Sequence, residues 1–165
     1  MRASERVEFE WVFRSAYPSV LRTTFLVLHD RGRAEEVTQD AFLRLCERWG
    51  GIRRIDNPEA WVRRVAVRAA IRTAQRTRSR SAPPPDDDQP WWDDLPDVDL
   101  ARAVAALAPQ QRAAVALHYL DDLPVDEVAQ HLGVTTSTVK QHLFRARARL
   151  ASLLSETVEV AHDVD

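Results

Sequence analysis

This chain of 165 residues has one cysteine, four glycines and no apolar run long enough to span a bilayer. Each scarcity excludes something. Cys46 alone cannot build a disulfide framework, and a free thiol reads as a small apolar helix-packing residue. Set among five scattered histidines it gives no metal-ligand spacing, so no metal is expected. So few glycines, with so little alternation of apolar and polar residues, argue for an all-α chain. There is no Gly-rich phosphate loop, no Ser-His-Asp order in a turn context and no isolated carboxylate pair. No catalytic residue and no cofactor are therefore expected. The N-terminus carries no basic-apolar-small leader pattern, which predicts a cytoplasmic chain without membrane insertion.

What is abundant is segregated charge. The formal net charge is −2, but residues 1–80 hold 17 Arg against 10 Asp and Glu. Residues 81–98 hold six Asp and no base, residues 99–154 are nearly balanced, and residues 155–165 carry only acids. A basic half, an acidic spacer and a compact second half are better read separately than averaged. The stretch SAPPPDDDQPWWDDLPD, with five prolines, cannot hold a helix or strand for long and reads as a linker. The predicted organisation is two small helical domains, 1–80 and 99–154, joined by the Pro/Asp-rich linker 81–98 and followed by an acidic, frayed tail 155–165.

Apolar spacing predicts helices over 6–28, 32–49 and 57–79 before the linker, and over 98–106, 109–121, 125–132 and 135–154 after it. Pro18 predicts a kink or break in the first. Asn57 as N-cap followed by Pro58 and Glu59 is a strong start signal for the third. The sharpest pattern lies between Leu123 and Leu150. Val125, Val128, Ala129 and Leu132 stripe one short helix, Gly133 suits a C-cap with positive φ, and Thr135 suits the N-cap of a second helix. That second helix packs Val139, Leu143, Ala146 and Leu150 inward and shows Lys140, Gln141, Arg145 and Arg147 outward. Two short helices at an angle, the second rich in donors, form a helix-turn-helix fit for a DNA major groove.

The helix over 57–79 repeats arginine at every fourth position: Arg64, Arg68, Arg72, Arg76 and Arg80. It has no acid after Glu59 to pair with them. Uncompensated repulsion of that kind is relieved by a polyanion, so this face predicts nucleic-acid contact. The connector Gly50–Asn57 reads, from spacing alone, as an ordinary loop. On the helix over 32–49, Phe42 and Leu43 are hard to bury together with Val37 and Leu45, which leaves an apolar patch open to a partner. Trp91 and Trp92 in the linker fit equally a return to one domain or contact with a partner.

Taken together, Ala34–Trp49 (AEEVTQDAFLRLCERW), Asn57–Arg78 (NPEAWVRRVAVRAAIRTAQRTR) and Leu107–Leu150 resemble, in order, region 2 and region 4 of the extracytoplasmic-function (ECF) subfamily of bacterial sigma factors. The resemblance spans roughly residues 7–154. It implies that Gln39, Asp40, Leu43, Arg44 and Glu47 meet the clamp of core RNA polymerase. It implies that Lys140, Gln141, Phe144 and Arg145 read the −35 promoter element, by pairings that physics permits: Arg or Lys to guanine, Gln to adenine, Phe to a thymine methyl. Thr136, Ser137, Thr138 and Arg147 would hold phosphates.

For the −10 element the resemblance implies Arg53, Arg54 and Asn57, in a loop that matches the family's pocket for a flipped base, and Arg64, Arg68, Arg72 and Arg76 on the helix that follows. Family members often have Asn and Asp where this chain has Arg68 and Arg72, which implies more phosphate contact and less base reading there. The implied partners are core RNA polymerase, promoter DNA and an anti-sigma factor, with the free chain a monomer. Two other readings of the same residues stay open: a free-standing helix-turn-helix regulator binding palindromic sites, and a sigma-like decoy that binds polymerase or an inhibitor.

Overall fold

The computed structural model describes residues 1–54, 57–77 and 98–162, apart from the side chains of residues 98, 99, 101 and 157–162. The expectations for Trp91, Trp92 and the acidic linker lie outside the described residues. Among those described, the elements are all helical: α1 (Ala3–Leu28), α2 (Arg31–Glu47), α3 (Trp49–Ile52), α4 (Pro58–Thr77), α5 (Val98–Ala105), α6 (Pro109–Val115), α7 (Val125–Leu132) and α8 (Thr136–His162). A π-helical turn, Ala116–Leu120, continues α6.

Local chemistry starts these helices where side-chain acceptors are available. The Asp30 carboxylate accepts from the Arg33 amide at 3.0 Å to begin α2. The Asn57 side chain accepts from the Ala60 amide at 2.9 Å, with Pro58 in the first turn of α4. Pro18 breaks nothing: α1 runs through it. A proline inside a helix costs about 3 kcal/mol, and here the flanking Ala16 and Val20 are fully packed, so tertiary burial carries the helix past it. The acidic tail also departs from expectation, because α8 extends to His162 rather than ending at 154. The helix expected over 109–121 is divided instead, with its last turn widened and the Asp121 amide donating to the Ala116 carbonyl at 3.2 Å.

Two apolar cores result. One joins Val12, Ala16 and Val20 of α1 to Phe42 and Leu45 of α2, Trp49, and Val62 and Ala66 of α4. Phe42 is buried and stacks edge-on against Phe13 at 5.0 Å, which leaves Leu43 outside. The buried Thr24 and Thr38 hydroxyls, on α1 and α2, pair with each other at 2.9 Å. The second core crosses between the two helical halves. Val27 of α1 and Val67, Ala70, Ile71 and Ala74 of α4 pack with Ala113, Leu117, Val128, Leu132, Val139 and Leu143. The halves that the linker separates in sequence therefore share a hydrophobic seam. A small satellite of Val104, Leu107 and Ala146 seats α5 on α8.

His29 ends α1 in the left-handed region, φ 49°. Burial, with the Arg112 guanidinium nearby, pushes its imidazole down to about 4 from the usual 6.5. The folded state thus prefers the neutral ring, and stability present above pH 6.5 is lost as pH falls towards 4. Thermal melts between pH 7 and pH 4 are expected to show an acid-side loss of up to roughly 3 kcal/mol from this group. His29→Asn, which tolerates the same backbone, should flatten that limb; an unchanged slope would contradict it.

Candidate nucleic-acid interface

The turn that aims α8 is built around Gly133. Its φ of +69° lets α7 stop and the chain reverse, while the Gly133 and Val134 amides both donate to the Ala129 carbonyl. Two residues on, the Thr135 hydroxyl accepts from the Thr138 amide at 3.2 Å and caps α8. Val139, Leu143 and Ala146 then lock one face of α8 into the core.

The opposite face of α8 stands in solvent. Thr136, Ser137, Lys140, Gln141, Phe144, Arg145 and Arg147 are all exposed, Phe144 by 72%. Lys140 is the chain's only lysine, the other basic side chains being arginines. Among the described residues no hydrogen bond or ion pair engages Lys140, Gln141 or Arg145. Thr138 differs: it is half-buried and its hydroxyl pairs with that of Thr135 at 2.9 Å, so it serves the cap. Arg147 is oriented by Tyr119, whose hydroxyl accepts from its Nε at 2.5 Å and whose ring lies 5.6 Å from the guanidinium. Tyr119, half exposed on the widened turn after α6, carried no sequence signal, because a helical period cannot reveal a π-turn that rotates it outward.

The residues expected at the −10 element divide into three groups. Arg72 and Arg76 are exposed on α4, the Arg76 Nε donating to the Arg72 carbonyl at 3.4 Å. Arg54 and Asn57 are also exposed, although the Asn57 side chain is spent on capping α4. Arg53 is paired within the chain, with Glu5 at 3.1 Å and Glu8 at 3.3 Å. Arg64 is half-buried, and Arg68 is turned inward, donating from Nε to the His131 carbonyl and from a terminal nitrogen to the Gln130 carbonyl, both at 2.9 Å. The division has a geometric cause. A four-residue repeat on a helix of 3.6 residues per turn advances about 40° at each step, so the arginine row spirals from the α7 side into solvent.

Beside Arg53 lies an open hollow of about 420 Å³ lined by Val7, Glu8, Trp11, Val12, Trp49, Arg53 and Pro58. Trp11, 68% exposed at its edge, was not among the sequence candidates. On α2, Gln39, Asp40, Leu43, Arg44 and Glu47 form one exposed face in which Leu43 is the apolar member and Asp40 pairs with Arg44 at 2.9 Å. Among the described residues no group of His, Cys, Asp or Glu could hold a metal ion, and no helix is long and apolar enough to cross a membrane.

Gly133 leaves room for Arg68: a Cβ there would stand 3.0 Å from its guanidinium. Gly133→Ala is expected to cost about 1–2 kcal/mol from the positive φ alone, read as a lower Tm. Because Arg68 also bonds the last carbonyls of α7, Arg68→Ala should lower Tm by itself, but by less in the Gly133→Ala background than in wild type; strictly additive losses would contradict the contact.

Comparison with known proteins follows the same two halves. Residues 12–80 match the Sigma-70 region 2 family and residues 97–150 the Sigma-70 region 4 family. The ECF RNA polymerase sigma factor SigM of Mycobacterium tuberculosis is 31% identical over 156 residues, covering 92% of this chain and 80% of that protein. The RNA polymerase sigma-E factor of Streptomyces coelicolor is 30% identical over 166 residues, covering 98% and 91%. The fold is shared with the sigma factor RpoE of Bartonella quintana, solved in complex with the anti-sigma factor NepR, at a TM-score of 0.71 and 21% identity, with 90% of this chain and 97% of that one covered. With both family matches in order along the chain and relatives of this identity over most of its length, this chain belongs to the ECF family of RNA polymerase sigma factors.

Proposed function

We propose that this sigma factor divides promoter recognition between α8, which reads the −35 element, and α4 with the turn before it, which engages the −10 element as the strands part. The observation that carries this is the outward face of α8. Among the described residues no hydrogen bond engages Lys140, Gln141 or Arg145, and these donors stand beside the exposed ring of Phe144. Such groups are suited to base edges. Thr136, Ser137 and Arg147 flank them and would fix register on phosphates, with Thr138 supporting the cap.

The hollow at Trp11, Trp49 and Arg53 is large enough for an unstacked base, which Trp11 could stack upon and the Arg53–Glu8 pair could address with both a donor and an acceptor. Arg54, Asn57, Arg72 and Arg76 would then track the backbone. The exposed face of α2 around Leu43 would meet core polymerase, a lone apolar side chain in a charged ring being a common anchor. The chain supplies binding energy and performs no covalent step; its work is cytoplasmic, and a separate anti-sigma protein restrains it.

Transcription in vitro with purified core enzyme on a library of genomic fragments tests the reading. Initiation at a defined set of start sites is expected. Lys140→Ala and Arg145→Ala should each lose roughly 1–3 kcal/mol of promoter discrimination, and Leu43→Glu should abolish pull-down of core polymerase without lowering Tm. Tight binding of the protein alone to palindromic duplex would favour a free-standing regulator. Full activity after both α8 substitutions would favour a decoy.

A further inference from the structure

We infer that Tyr119 is a positioning residue for duplex DNA: its hydroxyl and ring hold Arg147 so that the guanidinium meets a backbone phosphate end-on. The inference deepens the reading of α8 as the face that meets the duplex, and rests on it. It adds to that face a residue from outside α8.

The two side chains come from different elements. Arg147 is exposed on α8, three residues beyond Phe144. Tyr119 is 49% exposed on the π-helical turn Ala116–Leu120. Such turns are rare and recur at functional sites. Here the turn brings the phenol to α8, where its oxygen accepts from Arg147 Nε and its ring lies 5.6 Å from the guanidinium carbon.

Tyr119 is itself held. The ring of His118 stands 4.8 Å from it at an interplanar angle of 74°. The His118 Nδ1 lies 2.9 Å from the Leu123 carbonyl, which can only accept, so Nδ1 carries the proton. His118, Tyr119 and Arg147 therefore form a short chain of contacts from the loop before α7 to the exposed side of α8.

What this chain leaves open points to the ligand. A guanidinium offers an oxyanion two forks, one through Nε and a terminal nitrogen, the other through both terminal nitrogens. Tyr119 occupies Nε. Among the described residues no hydrogen bond or ion pair engages the terminal nitrogens of Arg147, so the end-on fork is kept for two oxygens of one phosphate. The choice of a phenol matters. A carboxylate in its place would orient the arginine but cancel the charge that a phosphate needs, as Asp40 does for Arg44 and Glu5 and Glu8 do for Arg53. Tyr119 orders Arg147 and leaves its charge intact, so less rotamer freedom is lost when DNA arrives.

Phosphate contact is independent of sequence, so the test needs no promoter. It uses the full chain and a labelled mixed-sequence duplex, followed by anisotropy between about 50 and 200 mM salt. Arg147→Ala is expected to weaken binding and to reduce the slope of log K against log salt by about one. Arg147→Lys, which keeps the charge and loses the fork, should weaken binding with the slope retained. Tyr119→Phe should weaken binding roughly threefold to tenfold at unchanged Tm, but less than twofold in the Arg147→Ala background. A Tyr119→Phe effect below twofold in the wild-type background would overturn the inference. So would an equal factor in both backgrounds, which is what a merely structural role gives, or a slope that Arg147→Ala leaves unchanged. Lys140→Ala separates the two readings. If it weakens binding while Arg147→Ala does not, the phosphate contact alone fails; if neither does, α8 is not the DNA face and both fail. Coupled losses at Tyr119 and Arg147 in a chain that does not initiate transcription would refute the promoter reading alone.

Discussion

The close approach of Arg68 to Gly133 is the contact on which the arrangement turns. A residue without Cβ, at φ +69°, ends α7 and swings the chain into α8. The space it leaves admits a guanidinium from the other half of the protein, at a distance a Cβ could not tolerate without a shift. One glycine therefore shapes the helix-turn-helix and receives the arginine that joins it to α4. Because Arg68 caps the carbonyl end of α7, it also neutralises groups that the turn itself leaves unsatisfied.

The arginines of α4 show how a single helix can carry two kinds of work. Their repeat drifts around the helix axis, so Arg68 faces the helix-turn-helix while Arg72 and Arg76 face solvent. Like-charge repulsion along the row is relieved at one end within the chain, by Arg68 on α7 and by Arg63 beside the buried Asp121. At the other end Arg72 and Arg76 stand exposed to solvent. Arg53 follows the same logic in miniature, held by Glu5 and Glu8 at the rim of the hollow rather than left open to solvent.

Much of the fold was legible because its signals are local. The Asn57–Pro58 start, the Gly133 stop and the Thr135 cap each satisfy backbone groups within a few residues, and the structure uses all three. The outward face of α8 was legible for the same reason, since period alone sets it opposite Val139 and Leu143. What local pattern could not show was insertion or override. The extra residue in the turn after α6 brings Tyr119 to Arg147 and Asp121 inward. Pro18 reads as a break and is carried through by packing, and α8 outruns its apolar stripe into the acidic tail.

By itself, then, the sequence determined an all-helical chain in two parts, a helix-turn-helix with a donor-rich second helix, and an arginine-lined helix behind an N-cap, because periodicity, caps and charge are properties of neighbours along the chain. Only the tertiary structure decided which arginines are spent and which are available. It also decided that an aspartate in a DDLP loop would be buried between two bases, and that the two halves share a core. Those outcomes depend on contacts between residues dozens of positions apart, such as Thr23 with Asp121 and Arg68 with His131, and nothing in the local pattern around either partner announces the other.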